Sequence, residues 1–186
     1  MPKIIVYNQV TLDGYFVDTN GDMSWAHKND AEWNAFVADN AKGDATLLFG
    51  RITYELMAGF WPTPEAMKSM PVVAERMNDL RKVVFSRTLD QASWNNTKLV
   101  KGDAIDAVRS MKKEDGIDMV ILGSGSLIAQ LAKEGLVDEF QLLITPVVLG
   151  SGRTAFDGIS RTELELASSR VFKNGKVLLT YKPQIS

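Results

Sequence analysis

Apolar and polar positions along the chain change period several times, and each change marks an element. Ile4, Ile5, Val6 and Val10 make Lys3 to Val10 a β-branched segment, which predicts a first strand ended by the turn Thr11-Leu12-Asp13-Gly14-Tyr15-Phe16. Asp18, Asn20, Gly21 and Asp22 mark the stretch up to Ser24 as loop. Trp33, Phe36 and Val37 recur at helical spacing, predicting a helix from about Asp30 to Asn40 that Gly43 closes. Thr46 to Phe49 reads as the second strand, Arg51 to about Ala58 as a short helix, and Glu65 to Leu80 as helix interrupted at Pro71. Lys82 to Phe85, Asn96 to Val100 and Met119 to Leu122 follow as strands, with a helix capped by Asp103 running to about Lys113 and another leaving Ser126.

Strands that alternate with helices imply crossover connections and a largely parallel sheet. The end of the chain breaks that rhythm. Glu139 to Leu149 is a long apolar strand, and Leu164 to Phe172 and Lys176 to Lys182 flank Asn174-Gly175, a dipeptide suited to a tight hairpin. The expectation is an α/β fold with a mixed sheet and an antiparallel C-terminal edge, formed by residues 1–186 as one domain without repeats or linkers.

Composition removes several function classes. With 186 residues, 45% apolar and 24% charged, the chain is an ordinary globular one. A formal charge of -2, with no basic run, argues against nucleic-acid or anionic-membrane partners. No apolar stretch approaches bilayer length and no signal peptide precedes the first strand, so the expected location is the cytoplasm. The absence of Cys excludes thiol chemistry and sulfur metal sites, and the single His27, read as a surface loop residue, leaves little for zinc or a His-dependent triad. No metal is expected, and any chemistry falls to a carboxylate or a cofactor.

Three strand ends carry groups suited to anions. Gly123-Ser124-Gly125-Ser126 lets the backbone turn before a helix whose N-terminus is partly positive. Ile128 stands where the dinucleotide fingerprint needs its third glycine, so the turn is not that motif, and a plain strand-to-helix turn explains it equally well. Gly50-Arg51-Ile52-Thr53 offers a helix start, a guanidinium and a hydroxyl within one turn, and Ser86-Arg87-Thr88 offers a second guanidinium. Each alone reads as a solvated surface turn. Together, two arginines and a glycine turn along one sheet edge fit a pyrophosphate plus an extra monophosphate, which favours NADPH over NADH.

Taken with Thr11-Leu12-Asp13-Gly14, Leu48 to Thr53, Val84 to Arg87, Ile121 to Ser126 and Thr145-Pro146-Val147-Val148-Leu149-Gly150-Ser151-Gly152, these motifs make the chain similar to the dihydrofolate reductase superfamily over nearly its whole length. It most resembles the reductase domain of bacterial riboflavin biosynthesis, in which Thr145 to Gly152 followed by a Phe156-bearing loop is typical, here without a zinc deaminase domain. That resemblance implies a three-layer α/β/α fold with a mixed, mostly parallel sheet of about eight strands, NADPH as cofactor, a small heterocyclic substrate and a homodimer. By position, Gly50, Arg51, Thr53, Ser86, Arg87, Gly123, Ser124, Gly125 and Ser126 would hold the cofactor phosphates, with Leu12 to Phe16, Gly14 included, lining the nicotinamide side.

The same likeness places Trp25 and Asp30 where folate reductases carry a tryptophan and, five residues on, an acid. A carboxyl beside an aromatic wall has its neutral form favoured and can bind an amidine-like edge and supply a proton to a C=N bond, which makes Asp30 the catalytic candidate. Its other reading is a helix cap. Phe60 and Trp61 would add a wall for a flat ring, or belong to the core or an interface. Two rivals to a reductase stand: a non-catalytic dimeric nucleotide-binding protein of this fold, and a sugar-phosphate or flavin-nucleotide enzyme using the same strand ends.

Overall fold

The computed structural model describes residues 1–114 and 116–184. Its centre is an eight-stranded sheet built from β1 (Ile4–Thr11), β3 (Thr46–Gly50), β4 (Arg81–Phe85), β5 (Thr97–Val100), β6 (Met119–Leu122), β7 (Glu139–Thr145), β9 (Leu164–Val171) and β10 (Val177–Pro183), in the order β5-β4-β3-β6-β1-β7-β10-β9. Neighbours from β5 to β7 pair in parallel, and β10 runs antiparallel to both β7 and β9. The short strands β2 (Tyr15–Val17) and β8 (Arg153–Thr154) form a separate antiparallel pair that had no counterpart in the sequence pattern. The expected strand from Glu139 to Leu149 stops at Thr145, because Pro146 has no N–H to offer the ladder.

Helices cover both faces, giving the three-layer dihydrofolate reductase-like arrangement. On one face α5 (Ala104–Lys113) and α6 (Gly125–Lys133) bury Val108, Leu127, Ile128 and Leu131 against Ile4, Val6, Leu48 and Ile121. Each such aliphatic side chain contributes about 1.5–3 kcal/mol by leaving water. On the other face α2 (Arg51–Phe60) and α4 (Pro71–Asp79), joined through α3 (Pro64–Ser69), pack Tyr54 and Met77 over Leu47, Phe49 and Val84. The split of the Glu65–Leu80 helix at Pro71 is as expected, since a proline ring excludes the preceding turn. Further along that face α1 (Ala31–Ala41) packs Trp33 and Phe36 on Leu143, Phe172 and Leu178.

Two buried lysines tie this frame together. Lys82 Nζ donates to the carbonyls of Asn78, Leu80 and Asn95 at 3.0, 2.6 and 3.1 Å and lies 4.6 Å from the Trp94 ring centre, so every donor has an acceptor. Lys176 donates to Ala26 O at 2.8 Å and lies 4.1 Å from the Trp33 ring centre, which pins the helical turn Ser24–Ala26 beneath the start of α1. Burial lowers both ammonium groups to about 8.

Candidate functional site

β3 and β6 are neighbours, but the chain leaves them in opposite directions. After β3 it passes through α2 on one face toward β4, and after β6 through α6 on the other face toward β7. That divergence opens a crevice at the carboxyl ends of the two strands, where open α/β sheets take ligands. Two of the three glycine or arginine motifs flank it, and the third lies at the end of β4 beside them.

A cavity of about 330 Å³ opens there, and its lining includes Gly50, Arg51, Ser86, Arg87 and Ser126. The three strand-end motifs therefore converge on one space. Both helices that start at the crevice lack a side-chain cap: Gly50 has no side chain to offer α2, and Ser124 makes no cap bond to α6. By contrast α1, α3 and α5 are capped by Asp30, Thr63 and Asp103. Uncapped first-turn N–H groups are left to bind an anion.

The electrostatics are mixed. Arg87 is exposed and forms no ion pair among the described residues, whereas Arg51 Nη1 lies 3.2 Å from Glu55 Oε2 with both side chains 46% exposed. Asp103 also lines the cavity, its Oδ1 accepting from the Ile105 and Asp106 amides. A carboxylate at this position opposes a phosphate and suits a hydroxyl.

Three expected phosphate contacts have other employment. The Thr53 hydroxyl accepts from Ser124 N at 3.1 Å, and the Gly123 amide donates to Asn8 Oδ1 at 2.8 Å. Ser124, at φ 54° in the left-handed region, turns its hydroxyl inward to accept from Gly50 N at 3.0 Å and to donate to Leu122 O at 3.2 Å. Gly123 also has positive φ, and a Cβ there would sit 3.1 Å from Thr53 Cγ2. Ser124, Thr53 and the Gly123 amide thus help to build the turn, and the amides of Gly125 and Ser126 stand at the uncapped start of α6. The Phe16 ring lies over Gly125, 3.7 Å from where a Cβ would be.

The loop expected on the nicotinamide side is held by its own acid. Gly14, at φ 87°, donates to Thr11 O, and Leu12 is 68% exposed with its amide on Val147 O. Asp13 accepts from the Thr11 hydroxyl at 2.6 Å and from the Leu149 and Gly150 amides at 3.2 and 2.8 Å. Those bonds, the hydroxyl first, hold its carboxyl below the usual range and latch the turn to the segment after β7.

Register places the second half of the site. Leu122 pairs with Tyr7, Gln9 with Leu143 and Thr11 with Thr145, so Tyr7, Gln9, Thr11 and Thr145 share one face. That face is covered by α2 on one side and α1 on the other. Burial lifts the Tyr7 hydroxyl to about 12. Gln9 Oε1, Trp25 Nε1 and Thr145 Oγ1 are buried with no hydrogen-bond partner among the described residues. Lys176 precedes the Val177–Ile144 pair and so stands beside Thr145, holding the turn that bears Trp25. Gln9 and Thr145 thus leave an acceptor and a hydroxyl unpaired on one face, and Trp25 leaves a buried N–H unpaired in the turn that Lys176 holds, polar groups of the kind that bind the edge of a flat ring. Asn8 Nδ2 is a fourth buried unpartnered atom, on the opposite face beside Gly123. Tyr7, Gln9 and Thr145 were not among the expected site residues. The signal for them was the polar pair Asn8-Gln9 interrupting an apolar strand just before the turn.

Asp30 is the N-cap of α1, its Oδ1 accepting from Trp33 N at 2.7 Å, and is half-buried. Phe60 is 39% exposed at the end of α2. Trp61 is half-buried and packs against the core beside Met57 and Val73; its Nε1 lies 3.1 Å from Met57 Sδ, and its carbonyl accepts from Asn78 Nδ2. Among the described residues no three His, Cys, Asp or Glu gather as a metal site, and no helix is long and apolar enough to cross a membrane.

Comparison with known proteins bears on the fold and the family. The chain is 32% identical over 180 residues to the uncharacterized protein YyaP of Bacillus subtilis strain 168, covering 96% of this chain and 94% of that one. Its fold is similar to that of a Thermotoga maritima diaminohydroxyphosphoribosylaminopyrimidine deaminase/5-amino-6-(5-phosphoribosylamino)uracil reductase, with a TM-score of 0.70 at 15% identity over 98% of this chain and 57% of that one. It is also similar to dihydrofolate reductase from Enterococcus faecalis complexed with NADP(H) and RAB-propyl, with a TM-score of 0.64 at 16% identity over 98% and 97%. The family model of the RibD C-terminal domain matches residues 2–178, and the chain belongs to that family.

Proposed function

We propose that this protein is an NADPH-dependent reductase of a small nitrogen heterocycle, similar to 5-amino-6-(5-phosphoribosylamino)uracil reductase or dihydrofolate reductase. The observation that carries the reading is the convergence of Arg51, Arg87, Ser86 and two uncapped helix starts on one cavity at the sheet's divergence point. Two guanidinium groups and free first-turn amides fit a ligand with several phosphates. When bound, the cofactor supplies hydride; the chain's own groups bind, orient and exclude water. Arg51, Arg87 and the Gly125 and Ser126 amides hold phosphates. Gln9 Oε1, Trp25 Nε1 and Thr145 Oγ1 fix the substrate ring by its polar edge. Phe60 is assigned to the mouth of that cleft and Asp30, through its uncommitted oxygen, to proton supply. Cytoplasmic location goes with this reading.

Titration calorimetry with NADPH and NADH tests it. NADPH should bind more tightly than NADH, and Arg51→Ala or Arg87→Ala should each weaken it about tenfold, as loss of a charge-assisted contact does. Absence of binding defeats the reading. NADPH consumption with a panel of pyrimidines and pterins then identifies the substrate class. A non-catalytic nucleotide-binding role is the second reading, favoured by one observation: the Asp30 carboxylate already serves as a helix cap.

A further inference from the structure

Tyr7 stands where the two halves of the site meet. β1 lies between β6, whose end carries the Gly123 turn, and β7, whose end carries Thr145. Within that row Tyr7 pairs with Leu122 on one side and Gln141 on the other. Paired residues share a face of the sheet, so Tyr7 is on the face that α2 and α1 cover, two residues before Gln9 on the same strand.

The helix layer leaves a gap over it. Leu122 packs with the α2 cluster around Phe49 and Tyr54, and Leu143, which pairs with Gln9, packs with Trp33 of α1. Tyr7 belongs to neither cluster and is only half-buried, although its strand is in the middle of the sheet. A mid-sheet side chain that keeps some exposure faces an opening between the elements above it.

The hydroxyl has no employment in the fold. It makes no hydrogen bond among the described residues, and burial is the one cause that lifts it to about 12. Gln141, the polar neighbour in register, gives its amide nitrogen to Glu139 Oε1 at 2.7 Å. Gln9 Oε1 and Thr145 Oγ1 on the same face also lack partners. An unpaired hydroxyl in a dry place costs stability, and an acceptor on a bound ligand offsets that cost. Because the phenol keeps its proton at any ordinary working pH, it serves as a donor and not as a base.

Reduction of a C=N bond needs such a donor. As hydride reaches the carbon, the π electron pair moves onto the nitrogen, which then takes a proton. A donor aimed at that nitrogen binds more strongly in the transition state than before it, because charge has gathered there.

We propose that the Tyr7 hydroxyl donates a hydrogen bond to the substrate nitrogen that gains the electron pair during reduction. This role rests on the reductase reading. Tyr7 ends the reaction with its own proton, and the proton that completes the amine comes from Asp30 or from water.

Tyr7→Phe removes the hydroxyl and keeps the ring. With the member of the pyrimidine and pterin panel that wild type reduces best, kcat should fall about 100-fold while KM stays within about threefold. NADPH affinity by calorimetry should be unchanged, and the melting temperature should not fall, since the hydroxyl bonds to nothing in the free chain. Wild-type turnover in the variant overturns the proposal. So does a higher KM at unchanged kcat, which makes Tyr7 a binding contact alone, or a lower melting temperature with a matching loss of NADPH affinity, which makes it structural. Each of these leaves the reductase reading intact. A wild type that binds NADPH and reduces no member of the panel overturns that reading and this role together.

Discussion

The Gly50 amide donates to the Ser124 hydroxyl at 3.0 Å, a single bond that spans the point where the chain leaves β3 for one face of the sheet and β6 for the other. It fixes the starts of α2 and α6 relative to each other, and with them the two uncapped helix ends. Replacing Ser124 tests that link in two parts. Ser124→Gly removes the hydroxyl but accepts φ 54°, whereas Ser124→Ala removes it and keeps the left-handed strain. Ala should lose about 1–2 kcal/mol for the unpaired Gly50 amide, and Gly about 1 kcal/mol less than Ala because it also relieves the strain that Ser124 carries, in denaturant melts. NADPH affinity should fall in both by a similar factor.

Asp103 is the acid that lines the cavity beside the two arginines. Asn caps a helix as well as Asp does, so Asp103→Asn keeps the bonds to Ile105 and Asp106 and removes only the charge. In a solvated site that charge is worth about 0.5–1 kcal/mol, so NADPH should bind about two- to fivefold more tightly. NADH, which lacks the extra phosphate, should change less. Calorimetry on the two cofactors separates the cases; equal gains for both would mean that Asp103 opposes the pyrophosphate rather than the added monophosphate.

Much of this arrangement was legible in the sequence because it is carried by local rules. The β-branched runs at Ile4–Val6 and Met119–Leu122, the break at Pro71 and the Asn174-Gly175 hairpin all fall where expected. The convergence of Arg51, Arg87 and Ser126 followed from parallel strands sharing one carboxyl edge. What sequence could not give is the use made of each polar atom. That the Thr53 and Ser124 hydroxyls take part in the turn, and that Trp61 packs beside Met57 and Val73, are facts of tertiary structure that no local pattern states. β2 and β8, at three and two residues, are too short to carry a period. Lys176 reads by sequence as the first residue of the last strand, and its burial is set by tertiary packing.

Lys176 gives a pH signature. Burial brings its folded value to about 8 from 10.5. Below about pH 8 the ammonium is charged in both states, and the penalty for burying it is present in full. Between about pH 8 and 10.5 the unfolded chain keeps a proton that the folded chain has released, so this group makes stability rise with pH across the window. The unfolding free energy of wild type should therefore gain on that of Lys176→Met as pH goes from 7.5 to 10. Paired melts at each pH measure the difference. A difference that stays flat would show that the lysine titrates as a solvated one.

Gly152 has φ 150°, and a Cβ there would lie 2.2 Å from the Val17 carbonyl oxygen. No rotation of a flexible side chain relieves a clash with backbone. Gly152→Ala should therefore separate β2 from β8 and destabilise the chain by about 2–4 kcal/mol. Gly14 also has positive φ, 87°, but nothing lies within 4 Å of its Cβ position, so Gly14→Ala should carry only the smaller backbone strain of about 1 kcal/mol. Thermal melts of the two variants, with amide exchange at Tyr15 to Val17, distinguish steric from conformational need.

Asp30 has two possible duties, and one pair of variants tells them apart. Its Oδ1 accepts from Trp33 N at 2.7 Å, and the other carboxyl oxygen has no partner among the described residues. Asp30→Asn retains a capping oxygen and should leave stability within a few tenths of a kcal/mol, whereas Asp30→Ala should lose about 1 kcal/mol. If the carboxyl also supplies a proton during reduction, Asn should lose about 100-fold or more in turnover while binding NADPH as wild type does. If it only caps, Asn should turn over normally and Ala should differ through stability alone. Turnover on the best substrate of the pyrimidine and pterin panel, read beside a melt of each variant, makes the assignment: activity that follows stability makes Asp30 a cap, and activity lost at constant stability makes it the acid.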